Sequence, residues 1–452
     1  MHQAPPRGPR LDSAPSQVAA HELDASGARH SRLSSSKTFS SLANPDFRLL
    51  WIGLLFSQGA MQVNIIARSW LAYNVSGSAT VLGVVALAQA VPMGVFSIVG
   101  GALADRLEKR KILVVVQGSL ALLALATAIL VHLNVVVVWH LVVVGLLQGA
   151  SFSFAMPARQ ALIPALVSDE EITNAIAMNS TGLNFTRVIG PALAGILMSV
   201  NPALAFDAIA VLYVAAAILL LRLPKEIRTV ESRQHSPAQD VMDGFRYVRN
   251  NAAVRALLIL AFIPILLGMP FQQFLPVFQK DVLHVNAFSL GLMFTAVGVG
   301  SLAGSLTVAR VSDVSKLPRL QVIAGFVFGL SLLAFALSST LLLSLALLTL
   351  VGAASQGYMT MNNVLIMSHT ERQYYGRVMS IYMITFSLMP LAILPMGLLV
   401  DIIGVSMTQA AAGGLLAVFI VVYAASKPEA DASVVAIEAQ WTGAEREAGA
   451  GS

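Results

Sequence analysis

From about residue 49 to residue 425, long apolar stretches alternate with short polar breaks. Thr80 to Ala104 runs 25 residues without a charge, Ile112 to Val131 runs 20 and Leu320 to Ser338 runs 19. At a rise of about 1.5 Å per residue, each crosses a hydrocarbon core of about 30 Å as a helix. Reading every apolar run this way predicts twelve spans. The first six are Leu49–Tyr73, Thr80–Ala104, Ile112–Val131, Val135–Ala155, Ile172–Val200 and Ala203–Leu221. The second six are Ala256–Gln279, Ala287–Ala309, Leu320–Ser338, Leu341–Met361, Val378–Ile403 and Val405–Ala425. The pattern is that of an all-α polytopic membrane protein.

The longest break, roughly 222 to 255, divides the spans six and six. Inside it, Ser236-Pro237 followed by Asp240, Asp243, apolar Val241, Phe245 and Val248, then Arg246 and Arg249, predicts a capped amphipathic helix lying along the membrane surface. The expected organisation is a tail (1–45), a six-helix bundle (46–222), a central loop (223–252), a second bundle (253–426) and a second tail (427–452). Both tails are polar and expected to be disordered. The halves also repeat. Residues 150–180 and 354–384 each open on Ala-Ser after a fourth span and pass through a charged turn into a fifth, as two parallel six-span repeats would.

Composition sharpens this. The chain of 452 residues is 56% hydrophobic and 11% charged, where a soluble domain carries about 25% charge. With no cysteine, disulfides, thiolate metal sites and cysteine nucleophiles are excluded. The first 45 residues hold no apolar run of the kind a secretory signal needs. The basic residues are spread over short loops rather than gathered on one face, so nucleic acid is not an expected partner.

Their distribution orients the chain, because Lys and Arg near span ends stay on the cytoplasmic side. Seventeen of the 28 fall in the loops on the N-terminal side of the membrane, and Lys280 alone falls in the opposite loops. Both termini are therefore expected in the cytoplasm and the chain in the plasma membrane.

Between the second and third spans stands the densest charge patch, Gly100-Gly-Ala-Leu-Ala-Asp-Arg-Leu-Glu-Lys-Arg-Lys111. Gly101, Leu103, Asp105, Arg106 and Arg110 match the G-x-L-A-D-R-x-G-R-K signature of the major facilitator superfamily, with Glu108 where the signature has glycine. The resemblance covers about 47 to 426, and the stretch 70–83 resembles the bacterial enterobactin-exporter and macrolide-efflux-like branch. It implies two six-helix bundles that rock between inward and outward openings, with export of a drug-like or siderophore-like molecule. It also implies that Asp105 meets Arg159 and the start of the eleventh span near Gly376 and Arg377. Physically, a carboxylate at one helix end accepts from the free amides at the start of another and pairs with an Arg, a clasp weak enough to break repeatedly.

In the fifth span, Asn184 to Gly195 resembles the family's antiporter signature through Gly190, Pro191 and Gly195. Small residues let helices approach closely, and the proline bends the span. Arg187, one turn before Gly190, is costly at mid-membrane, about 2.5 to 3.5 kcal/mol, and is expected to face a wet cavity or a partner. Arg68 in the first span either snorkels to the far interface or lines the same cavity. The fourth span keeps Leu141, Gln148 and Gly149 but has Gly145 where drug–proton antiporters carry Arg, so that relay is missing and proton coupling rests on the resemblance. Asp207 and Asp401 lie near the far ends of their spans. Further cavity candidates are Gln58, Gln62, Asn64, Gln148, Asn184, Gln272, Gln273, Tyr358, Asn362, Asn363 and Tyr382. Each alternatively serves helix–helix hydrogen bonding.

No carboxylate stands at ligand spacing from His132, His140, His284 or His369, and no phosphate-cradling G-x-x-x-x-G-K-[ST] occurs, so neither a membrane enzyme nor an ATP-driven pump is expected. No metal or cofactor is implied. The expected partners are a small-molecule substrate, protons and the lipid bilayer, with the chain working as a monomer. A non-transporting sensor on the same fold is the alternative.

Overall fold

The computed structural model describes residues 37–168, 170–224, 237–311 and 313–426; the side chains of 37–39, 97–106, 161, 237–241 and 387 are outside that description. Most of both predicted tails therefore falls outside the described residues. Every long element is helical. Twelve segments are long and apolar enough to cross a membrane.

The first six are α1 (Pro45–Ser76), α2 (Ala79–Arg106), α3 (Lys109–His132), α4 (Val138–Ala165), α5 (Ile172–Val200) and α6 (Pro202–Leu221). A surface helix, α7 (Pro237–Asn250), follows where the amphipathic pattern predicts one. The second half holds α8 (Ala252–Leu267) with α9 (Phe271–Val277), then α10 (Ala287–Ala309), α11 (Leu317–Ala336), α12 (Leu341–Ser368), α13 (Tyr375–Ser387) with α14 (Met389–Ile403), and α15 (Val405–Ser426).

Asparagine starts many of these helices. Asn44 accepts from the amides of Asp46 and Phe47 at 2.9 and 3.3 Å, with Pro45 next, and Asn201, Asn251 and Asn286 cap α6, α8 and α10 in the same way. The side-chain oxygen satisfies amides that have no partner in the first turn. At the other end of α1, Gly77 at φ +66° makes the left-handed turn that a side chain resists.

The structure corrects the sequence reading in three places. Span four runs ten residues past Ala155 to Ala165, and span ten seven past Met361 to Ser368. The helix carries both Pro157 and Pro164, each of which removes only one backbone hydrogen bond. Arg159 is thus helical rather than in a loop. Spans seven and eleven are each interrupted, at Gly268–Pro270 and Leu388. Finally, the expected tail ends earlier than residue 45: Lys37–Ala43 forms a 3₁₀ turn, because buried Ser41 donates to Asn174 at 2.6 Å and seats it on α5.

In the first half α1 packs on α5 and α6, α2 on α4, and α3 on α4 and α6; in the second, α10 packs on α12, and α11 on α12 and α15. Two bundles result. They meet through two antiparallel pairs, α2 with α14 and α5 with α10, and through α9 with α1 and α2. We call the face where α1 begins and α15 ends the terminal face, and the opposite one the distal face.

Candidate functional site

A cavity of about 700 Å³, counting the part that opens to solvent, lies between the bundles at mid-depth. α1 supplies Gln62, Ile65 and Ile66; α5 supplies Arg187 and Pro191; Met269 comes from the break in span seven and Gln272 from α9; α10 gives Phe294 and Ser301, and α12 gives Ser355 and Gln356. Among the described residues that line it, Arg187 is the only charged side chain. Amides, hydroxyls and one guanidinium stand on an otherwise apolar wall.

The position of Arg187 follows from local chemistry. Pro191 has no N–H, so the carbonyl of Arg187, four residues earlier, loses its helical partner. That carbonyl instead faces the backbone of Gly298 on α10, where a Cβ would come within 2.7 Å. The guanidinium donates to Oε1 of Gln356 at 3.2 Å, reaching from the first bundle to the second.

The cavity is shut on its distal side. On that side α5 and α10 touch backbone to backbone, a Cβ on Gly195 falling 2.8 Å from Cα of Gly291. Tyr73 at the end of α1 donates to Asp281 beyond α9, and the Lys280 ammonium lies 5.4 Å from the Tyr73 ring centre. Asp401 of α14 accepts from Ser78, Ala79 and Thr80 at the start of α2. These bonds join the two bundles at the distal face, as Arg187–Gln356 joins them at mid-depth.

Of the cavity residues expected from sequence, Gln62, Arg187 and Gln272 come together in the lining, with Pro191 beside them. Arg68 does not join them. It is 7% exposed inside the first bundle, donating to Gln148 at 3.1 Å and to Gln89, while Asn64 donates to the same Gln148 oxygen at 3.3 Å. Amide oxygens within its own bundle, not the far interface, satisfy this guanidinium. Tyr358 is fully buried and donates to the Leu260 carbonyl at 2.6 Å; Asn362 is fully buried and accepts from Gln321 at 2.6 Å. Tyr382 is buried, with its hydroxyl 4.0 Å from the Met359 sulfur of α12. These three tie helices of the second bundle to one another. Gln58 lines a separate, smaller hollow between α1 and α5, and Asn184, Gln273 and Asn363 are half-buried outside the main lining.

At the terminal face, Gly101, Leu103, Asp105 and Arg106 fall in the last turns of α2, with side chains outside the described residues. Arg110 donates to the carbonyls of Leu220 and Leu221, tying α3 to the end of α6 within one bundle, and Glu108 pairs with Lys111 at 2.8 Å. Arg159 reaches the sulfur of Met156 at 3.1 Å. Beside Gly376, in the first turn of α13, Arg377 stands 3.7 Å from Asp243 of α7. Asp207 pairs with His132 at 3.0 Å. Among the described residues no three His, Cys, Asp or Glu side chains form a metal-binding group.

Sequence reasoning misses Gln356, Ser301, Ser355, Gln89 and Asp281. Gln356 sits in the repeated Ala-Ser segment that opens at residue 354, where its position on α12 facing the cavity was the available signal.

A sequence model of the family described as transmembrane secretion effector matches residues 36–448. The Staphyloferrin A transporter of Staphylococcus aureus is 25% identical over 347 residues, 76% of this chain and 86% of that protein. Macrolide efflux protein A of Streptococcus pyogenes is 24% identical over 366 residues, 80% of this chain and 90% of that protein. Among solved structures, a bacterial homolog of the human lysosomal transporter Spinster, inward-facing and unoccupied, superposes with a TM-score of 0.67 at 13% identity, covering 89% of this chain and 98% of its own. These relatives are transporters of the major facilitator type, not enzymes.

Proposed function

Because the chain belongs to the transmembrane secretion effector family of major facilitator carriers, we propose that it exports a siderophore-like or drug-like small molecule by alternating access, drawing on the proton gradient. The terminal face is the cytoplasmic one, with both termini inside the plasma membrane, and the working units are the bundles 46–222 and 253–426 joined by the 223–252 loop. The chain acts as a monomer. The surplus of basic residues in the loops of the terminal face supports this orientation. The named relatives, one a siderophore transporter and one an efflux protein, support the cargo class.

The observation that carries this reading is the cavity itself. It is bounded by both bundles, closed on the distal side and crossed by Arg187. A cavity shared between two bundles changes its accessible side when they rock, whereas a site inside one bundle does not. Coupling to protons is supported by resemblance.

The test is accumulation of siderophores and macrolides in cells with and without the chain, repeated with the proton gradient collapsed. Lower accumulation in cells carrying the chain, abolished by an uncoupler, is expected. Extrusion that survives the uncoupler removes the proton coupling, and cargo binding without flux in proteoliposomes removes the carrier assignment.

A further inference from the structure

α2 and α14 run antiparallel where the two bundles meet. α14 ends at Ile403 on the distal face, and there Asp401 lies over the start of α2. Its Oδ1 accepts from the Ala79 amide at 2.7 Å; its Oδ2 accepts from the Thr80 amide at 3.0 Å and from the hydroxyls of Thr80 and Ser78, each at 2.6 Å. The first-turn amides of a helix have no partner within it and carry its positive end. Here the partner comes from the other bundle. The reach depends on bare backbone nearby, since a Cβ on Gly397 would fall 2.6 Å from the Ala79 carbonyl oxygen and one on Gly83 2.5 Å from Cα of Leu394.

We infer that Asp401 is the distal gate residue of the carrier: its carboxylate holds the start of α2 while the distal face is shut and must release it for that face to open. Asp401 is exposed at the rim, so water replaces the lost partners when the bundles part. The apolar contacts beside it break without such compensation. A carboxylate at the rim of a packed seam therefore makes closure specific and still reversible.

Span eleven, of which α14 is the distal half, reaches the terminal face through α13, and there α2 carries a second carboxylate. Asp105 sits in the last turn of α2 on the terminal face, as Asp401 sits in the last turn of α14 on the distal face. Rocking about the middle of the pair separates one end as it brings the other together. The two caps are then made in turn, one in each state, and neither state is held by packing alone. This step rests on the alternating-access reading and on the orientation above, but its readout is the side of opening rather than cargo.

The chain has no cysteine, so one introduced thiol reports cleanly. Ser301→Cys places it in the cavity lining. Intact cells and inverted vesicles are treated with a membrane-impermeant maleimide, in chains with Asp401, Asp401→Asn or Asp401→Glu. Asp401→Asn is expected to label from outside on the order of tenfold faster, with Asp401→Glu between it and the parent. Ser78→Ala with Thr80→Val, which keeps the charge and removes two donors, is expected to shift labelling in the same direction by less. Equal outside rates in all chains, with normal labelling from inside showing inserted protein, would overturn the assignment, as would a rise confined to the inside. Should no cargo be exported, the labelling still decides the gate.

Discussion

The guanidinium of Arg187 and the amide oxygen of Gln356 meet at 3.2 Å across the cavity, one from each bundle. Cargo bearing a carboxylate or catecholate offers Arg187 a better acceptor than an amide does, and a hydrogen bond to a charged group is worth about 1.5 to 3 kcal/mol. Arg187→Gln keeps the polarity and loses the charge. It is expected to raise KM for an anionic cargo by about ten- to a hundredfold, one decade per 1.4 kcal/mol, and to leave a neutral cargo nearly unchanged. Initial transport rates in proteoliposomes against cargo concentration check this. Equal losses for both cargoes would make Arg187 a structural residue.

Arg68 is the opposite case, a cation that never meets the cavity. Its acceptors are the oxygens of Gln148 and Gln89, so the order of damage is predictable. Gln148→Leu takes one of the two acceptors from the buried cation and leaves it Gln89 alone, whereas Arg68→Met removes the cation and leaves amides that partly pair with one another, as Asn64 and Gln148 already do. Leaving a buried polar group short of its partner costs about 1 to 3 kcal/mol, and more where the group is charged. Thermal unfolding in detergent is therefore expected to show the larger loss for Gln148→Leu, with transport per folded Arg68→Met molecule retained. The reverse order would show that Arg68 has a partner of another kind.

Where α5 and α10 cross, the limit is steric. A Cβ at Gly195 would sit 2.8 Å from Gly291 Cα, with backbone and not a flexible side chain in the way. Gly195→Val is expected to hold the distal seam apart and lower transport at least about tenfold without loss of membrane insertion, since interiors this dense do not absorb a valine without movement. Gly118→Ala, where an added Cβ meets nothing within 4 Å, is the silent control. Uptake assays normalised to inserted protein separate the two. Unaltered transport in Gly195→Val would mean that the crossing is looser than its backbone contact implies.

Much of this architecture is written in hydropathy. Ile172–Val200 and Ala287–Ala309 begin and end where the apolar runs do, because asparagine caps and polar turns coincide with the membrane boundary there. The breaks in spans seven and eleven are invisible to hydropathy, since Gly268, Met269 and Leu388 are as apolar as their neighbours; Pro270 and Pro390 are the signals that mark them. The site was legible in part for a related reason. Arg187 stands out because a charge in an apolar run is expensive. Tyr358 and Asn362 look equally polar in sequence, and only the bundle decides that their groups are spent on Leu260 and Gln321. Asp401 lies at a span end, where sequence cannot separate a lipid-interface carboxylate from one that caps a helix 321 residues away.

Arg377 carries two assignments that mutation can separate. It lies 3.7 Å from Asp243, with 27% and 41% of the two side chains exposed, and the family resemblance assigns it to the neighbourhood of Asp105. An ion pair this open contributes about 0 to 1 kcal/mol, so Asp243→Asn is expected to change the unfolding midpoint little and to leave transport within about twofold. Gly244 packs α7 on the Arg377 backbone regardless, a Cβ there meeting the carbonyl at 3.1 Å, and this contact keeps the surface helix in place when the charge is gone. Arg377→Ala removes the guanidinium from Asp243 and from the role the resemblance gives it, and is expected to slow transport by tenfold or more while the protein still inserts. Comparing turnover of the two variants with Asp105→Asn distinguishes the roles. If Asp243→Asn matches Arg377→Ala and Asp105→Asn does not, the partner that matters for transport is α7 rather than the end of α2.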